Sequence, residues 1–451
     1  MSETLLSVGL DVGTTSTQMI LSELEIENRA SAFAVPEMQI TQRKIRYRGQ
    51  VHFTPLVGES LVDGPGVRAI VEQEYRRAGI RREDVDTGAI IITGETSRKE
   101  NARAVLDAMA DYAGDFVVAT AGPDLESILA AKGAGADVFS AETGKTVLHM
   151  DIGGGTSNLA LIRDGRIVKT GCLNVGGRLL KFDGAGKVTY VSPVLTGLCT
   201  LSVGDTAVLS QVEAVAETLV QTLEMAAGLR DPGDLLEKLA TGEAAAWEKL
   251  WDDTPVLSFS GGVADCIRQE VPWLTYGDIG PVLGQAIRKS RLCRGAYRLG
   301  TETIRATVIG AGCHSAQLSG STVFCRNVAL PLKNIPVILP EQPDRESIRR
   351  EVRKQEGMAV IALPGIPSPD YGQIRLLAEE IAAALEPQPV LVCLEQDMAK
   401  ALGQALALRL GTDAEILCID RVKLTGESYL DVGAPVGPSF PVVVKTLVLG
   451  R

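Results

Sequence analysis

The chain is poor in the residues that build metal centres and membrane spans. It has three histidines in 451 residues, which disfavours a site built on imidazole. Its eight cysteines (172, 199, 266, 293, 313, 325, 393 and 418) form no Cys-x-x-Cys pair. Thiols scattered in this way read as free, buried cysteines in a reducing cytoplasm. No stretch approaches the ~20 apolar residues that a membrane span needs. The start, Met1-Ser2-Glu3-Thr4-Leu5, lacks the basic region of a secretory signal. There is no basic stripe either. The formal charge is −11, which argues against nucleic acid as a partner and is accounted for by solubility.

What the chain does contain is one pattern used twice. Leu6-Ser7-Val8-Gly9-Leu10-Asp11-Val12-Gly13-Thr14-Thr15-Ser16-Thr17 returns as Val147-Leu148-His149-Met150-Asp151-Ile152-Gly153-Gly154-Gly155-Thr156-Ser157-Asn158. Each copy reads as an apolar strand ending in an aspartate, a Gly/Thr turn, and a second strand, Gln18–Leu21 or Leu159–Ile162. Glycines let main-chain N–H groups converge on phosphate oxygens, threonine hydroxyls add donors, and a strand-end carboxylate suits Mg²⁺ held through water. One such turn is a weak signal. Two of them, spaced for two lobes, suggest a clamp around one polyphosphate.

Length and composition fit this. Hydrophobic content of 45% with 22% charged residues is globular, and 451 residues exceed one ordinary core. Strand and helix patterns alternate, as in an α/β architecture. Helices are expected over about 67–77, 98–112, 124–132 and 211–227, with strands at 88–93, 117–120 and 256–259. Pro331, Pro336, Pro340 and Pro343 punctuate the start of a separable α/β region, 323–451. A third chemical element, Phe259-Ser260-Gly261-Gly262-Val263-Ala264-Asp265, places paired glycines between a strand and a helix, where a nucleoside could lie against bare backbone.

These motifs resemble the actin/Hsp70/hexokinase superfamily of two-lobed nucleotide-binding proteins. Asp11–Thr17 is similar to its first phosphate motif, Asp151–Asn158 to its second and Ser260–Asp265 to its adenosine motif. The resemblance implies a first lobe over 1–140 with an insertion at 30–88, a second over 141–322 with an insertion at 178–255, and 323–451 as an addition. It implies Asp11 and Asp151 as catalytic and Mg²⁺-holding carboxylates. Asp124 and Glu126 lie where the first connecting helix begins, and Glu126 is taken as the third catalytic residue. ATP contacts are expected from Gly13, Thr14, Thr15, Gly153, Gly154, Gly155, Thr156, Gly261 and Gly262. For the second connecting segment, Gly310 and Gly312 are preferred over Gly284-Gln285-Ala286. Asn158 departs from the pattern, which usually has an acid there, and no catalytic lysine can be placed in 30–88.

Longer strings narrow the resemblance. Gly94-Glu95-Thr96-Ser97-Arg98-Lys99-Glu100-Asn101, Thr307–Thr322 and Asp431-Val432-Gly433-Ala434-Pro435 through Val448 resemble the reactivating factors of ethanolamine ammonia-lyase, the EutA family. This implies an ATP- and Mg²⁺-dependent chaperone whose partner is the adenosylcobalamin-dependent lyase, promoting release of damaged cobalamin and entry of intact coenzyme. It places the protein in the cytoplasm, with a bacterial microcompartment as a further option, and leaves oligomeric state open, a homodimer included. The alternatives on the same fold are a small-molecule kinase, an ATP-dependent hydantoinase-like enzyme, or a filament-forming protein.

Several other patterns are set aside. Gly144-Lys145-Thr146 is no P-loop, because Phe139 stands where that motif needs glycine and the strand follows rather than precedes. Asp431-Val432-Gly433 continues with Ala434-Pro435 and lacks threonine donors. Cys313-His314 has no companion ligands in view. The basic run Arg43–Arg48 reads as a solvated strand face, and Glu95 either faces a cleft or caps a helix.

Overall fold

The computed structural model describes residues 3–13, 16–29, 38–57, 61–92, 117–120, 123–241, 255–314, 316–320, 322–355, 357–385, 389–422, 424, 428–435 and 437–446. Thr14, Thr15, Glu95 and the helix expected over 98–112 lie outside these.

Two sheets share one topology. The first contains β1 (Glu3–Val12), β2 (Ser16–Asn28), β3 (Met38–Arg48), β4 (His52–Phe53), β7 (Thr87–Ile92) and β8 (Val117–Thr120). A separate ribbon is formed by β5 (Leu56–Val57) and β6 (Leu61–Val62). The second sheet contains β9 (Val147–Ile152), β10 (Ser157–Arg163), β11 (Arg166–Leu173), β14 (Val256–Ser260) and β15 (Tyr297–Leu299). Between them in sequence, β12 (Leu180–Phe182) and β13 (Val188–Val191) form a small ribbon. The orders are β3-β2-β1-β7-β8 and β11-β10-β9-β14-β15. Each is an antiparallel three-strand meander followed by two parallel strands. Residues such as Ile90, Ile91 and Ile92 of β7 are buried on both faces, as a central parallel strand requires.

Two helices exchange between the sheets. Pro123–Gly133 follows β8 but packs on β9, β10 and β11. Ala306–His314 follows β15 but packs on β1, β2 and β7. They cross at glycine. A methyl group on Gly310 would collide with the Leu129 carbonyl, and one on Gly133 with the Ala306 carbonyl. This crossing fixes how the lobes face one another.

The C-terminal sheet has eight strands: β16 (Ala316–Leu318), β17 (Phe324–Arg326), β18 (Leu332–Ile338), β19 (Val360–Leu363), β20 (Val390–Leu394), β21 (Ile416–Ile419), β22 (Ser428–Val432) and β23 (Pro441–Thr446). Their order is β16-β23-β22-β18-β19-β20-β21-β17. Strands β18 to β21 are parallel, with helices Arg345–Val352, Tyr371–Leu385 and Ala399–Leu410 between them. The sheet reaches upstream of residue 323 because β16 pairs with β23 near the far end of the chain. No helix among the described residues is long and apolar enough to cross a membrane.

Candidate functional site

The repeated hairpins meet at one cavity of about 550 Å³. In each, the glycine two residues past the aspartate closes the turn in the same way: Gly13 N–H donates to the Ser16 carbonyl and Gly153 N–H to the Thr156 carbonyl, both at 2.9 Å. Asp11, Gly13, Glu126, Asp151, Gly153, Gly154, Gly155, Thr156, Gly261 and Gly262 all line the cavity, so both hairpins, the first exchanged helix and the glycine pair converge. Thr14 and Thr15 lie outside the described residues.

Gly310 and Gly312 lie in the second exchanged helix, Ala306–His314. Neither is among the residues lining the cavity. Gly310 serves the helix crossing, and Gly312 lies against Gly9 of β1, where an added methyl would stand 3.0 Å from the Gly9 nitrogen. Glycine permits close approach of a ligand or of a second backbone, and composition alone does not separate the two.

The second hairpin is the drier one. Asp151 is 7% exposed, and burial pushes its carboxyl up to about 6 against hydrogen bonds from Ser260 and Thr307. Behind it runs a buried polar chain. Ser260 Oγ donates to Asp151 Oδ1, His149 Nε2 lies 2.9 Å from Ser260 Oγ, and His149 Nδ1 lies 3.0 Å from Ser258 Oγ. Burial, with the Arg298 charge, pushes His149 down to about 3, so its imidazole is neutral. With Ser260 donating forward, Nε2 carries the ring proton and Nδ1 accepts from Ser258. Gly261 has φ of 85°, and a methyl added to it would collide with the Ile152 backbone, so the β14-to-helix turn seats against this hairpin.

Glu126 and Asn158 form a pair. Asn158 Nδ2 donates to Glu126 Oε2 at 2.7 Å, and both side chains are buried. An aspartate at 158 could not donate. The asparagine therefore gives Glu126 a donor beside the hairpin where an acid would set two carboxyl groups together.

Arg178, Asp278, Phe53 and Tyr276 complete the walls. Arg178 Nε donates to Asp278 Oδ2 at 3.2 Å, and its guanidinium lies 5.9 Å from the Phe53 ring centroid, so it reaches from the second lobe to the first. Phe53 is 78% exposed. On the other wall, His52 contacts the fully buried Glu74 at 2.9 Å. Burial alone would raise Glu74, but donors from His52, Tyr47, Arg77 and Gln50 hold it below the usual range. Thr54 Oγ1 donates to the Gly13 carbonyl at 2.7 Å, tying this segment to the first turn.

Sequence reasoning passed over Gln18, His149, Arg178, Asp278 and Thr307. A signal existed for Gln18, which holds the place in the first repeat that Asn158 holds in the second. The basic run lies in β3, partly solvated as expected. Two of its members reach 302–313: Arg43 Nε donates to the Cys313 carbonyl at 2.8 Å, and Arg48 pairs with Glu302.

A divalent cation fits the residues present. The walls carry five carboxylates (Asp11, Glu126, Asp151, Asp265 and Asp278) against the single guanidinium of Arg178, so a polyphosphate entering here requires added positive charge.

Comparison with known proteins places the chain. The sequence profile of ethanolamine utilisation protein EutA matches residues 3–450. The chain is 39% identical over 468 aligned positions to the ethanolamine ammonia-lyase reactivase EutA of Salmonella typhimurium (strain LT2), covering 98% of each chain. It is 38% identical to the protein of the same description from Escherichia coli (strain K12), again covering 98% of each. A solved Aquifex aeolicus member of the Ppx/GppA protein family aligns with 59% of this chain and 69% of its own, at 12% identity and a TM-score of 0.37.

Proposed function

Because the chain belongs to the EutA family of ethanolamine utilisation proteins, we propose that it reactivates ethanolamine ammonia-lyase by binding ATP with Mg²⁺ between its two lobes. The observation that carries the nucleotide reading is the meeting of two equivalent aspartate–glycine hairpins on opposite walls of one cavity. Backbone N–H groups of the Gly13 and Gly153–Thr156 turns would receive the phosphates. Gly261 and Gly262 leave open backbone for the nucleoside. Asp11 and Asp151 would hold the cation, which when bound neutralises phosphate charge and supports phosphoryl transfer. Glu126, oriented by Asn158, would position the attacking water.

Hydrolysis then changes what the two lobes can jointly grip. The lobes connect through the Gly133–Gly310 crossing and touch across the mouth through Phe53 and Arg178. A chaperone works by nucleotide only if its nucleotide states bind the partner differently. Lobe closure around ATP would set affinity for the inactivated lyase, letting damaged cobalamin leave and intact adenosylcobalamin enter.

The test uses inactivated ethanolamine ammonia-lyase with this protein, ATP, Mg²⁺ and fresh adenosylcobalamin. Activity should return only when all are present. Failure to recover activity, together with ATP-dependent phosphorylation of a small metabolite, would replace the reactivase reading with a kinase.

A further inference from the structure

The strand register places an amide opposite each of the two aspartates. In the first hairpin Gln18 pairs with Asp11, and in the second Asn158 pairs with Asp151. Directly opposed residues of an antiparallel pair project from the same face. Both amides line the cavity and both are buried, Gln18 at 3% and Asn158 at 5% exposure.

Their orientation follows from their partners. Gln18 Nε2 donates to the Ile304 carbonyl at 3.2 Å, and Asn158 Nδ2 donates to the Glu126 carboxylate at 2.7 Å. Reversing either amide would set oxygen against oxygen. The oxygens are thus fixed as the remaining ends, and Gln18 Oε1 and Asn158 Oδ1 each lack a partner among the described residues. Leaving a buried acceptor unmet costs on the order of 1–3 kcal/mol. The two acceptors stand at equivalent positions of a duplicated hairpin.

Both oxygens are turned toward the cavity as acceptors, so a donor entering it can meet them. Phosphate oxygens only accept, so they would repel these amides. Water bound to a divalent cation donates strongly, and Mg²⁺, which dehydrates reluctantly, can be held by carboxylates through its waters. Among the described residues, no three carboxylate, thiol or imidazole groups converge as a ready ligand set. Each hairpin then divides its work: the turn offers donors to phosphate, and the strand pair offers an aspartate and an amide oxygen as acceptors.

We propose that Gln18 and Asn158 are a matched pair of outer-sphere acceptors, one from each lobe, that recognise the water shell of the divalent cation accompanying the nucleotide. This rests on the nucleotide reading above. It assigns Gln18, a residue outside the glycine turns, to cation recognition.

The experiment is equilibrium binding of a fluorescent ATP analogue to the full chain in EDTA, in Mg²⁺ and in hexaamminecobalt(III). The ammine ligands of that cobalt ion do not exchange, so it interacts only by donating hydrogen bonds and by charge. The expected result is binding with either cation, the two affinities agreeing within about tenfold. Gln18→Met and Asn158→Leu should each weaken binding about tenfold with both cations. Binding with Mg²⁺ but not with hexaamminecobalt(III) in the wild-type protein would overturn the proposal without relying on any variant. So would unchanged Mg²⁺-dependent affinity in folded Gln18→Met and Asn158→Leu. Absence of binding under every condition would instead remove the nucleotide reading itself.

Discussion

The two hairpins are alike in backbone and unlike in setting. Both place an aspartate at the end of a strand, an amide opposite it and a glycine turn beyond it. Asp11 remains partly exposed, whereas Asp151 is sunk against Ser260 and Thr307 with a neutral histidine behind. The shared topology supplies two equivalent hairpin edges to one cavity, and the different packing around each gives their carboxylates different settings. One carboxylate stays in contact with solvent. The other is held where ionisation costs free energy that a bound cation would return.

The largest effect should break both hairpins equally. Asp11→Asn and Asp151→Asn are each expected to weaken Mg²⁺-dependent nucleotide binding by ~100-fold or more, the scale of losing a charged partner at a desolvated site. Titration calorimetry of both variants would check this. If only one loses affinity, the hairpins do not act as a pair.

A second comparison sets Glu74 of the first lobe against Asp151 of the second. Glu74 is buried with four donors and sits below the ordinary range, so its contribution exists above a pH of about 4.3 and is lost as pH falls. Glu74→Gln should lower stability by about 1–3 kcal/mol at neutral pH, with the difference shrinking in acid, as followed by thermal melting. Asp151 has the opposite sign. Its carboxyl is raised to about 6, so the folded chain retains a proton that the unfolded chain loses, and stability declines as pH rises from about 4 through about 6. Asp151→Asn should therefore stabilise the nucleotide-free protein at neutral pH, on the order of 1–3 kcal/mol, and have little effect near pH 4. A destabilised variant at neutral pH would contradict this reading of the second hairpin.

The smallest effect concerns the polar chain. His149→Phe removes the group that holds Ser260 toward Asp151. It should weaken nucleotide binding about tenfold, as loss of a supporting partner typically does. No equivalent change exists in the first hairpin, where Gly9 stands two residues before Asp11.

The elements that sequence revealed are those marked by local chemistry. Asp-x-Gly turns and Val/Ile-rich strands announce themselves within a few residues, so both hairpins, β7 and β14 were legible. Nonlocal pairing was not, and nothing near Ala316–Leu318 says that it joins a strand more than a hundred positions away. The packing role of Gly310 and Gly312 was not legible, because the same missing side chain serves a ligand or a crossing helix. Gln18 was passed over for a different reason. A polar residue in a strand carries no meaning until the register sets it opposite Asp11 and its amide nitrogen is seen to be committed to Ile304.

Whether two carboxylates grip one cation–nucleotide pair is tested most directly by calorimetric titration of ATP into the wild-type protein with and without Mg²⁺. One nucleotide should bind per chain, only when Mg²⁺ is present, with affinity lost in Asp11→Asn and in Asp151→Asn. Equal binding in EDTA, or wild-type affinity in both variants, would contradict it.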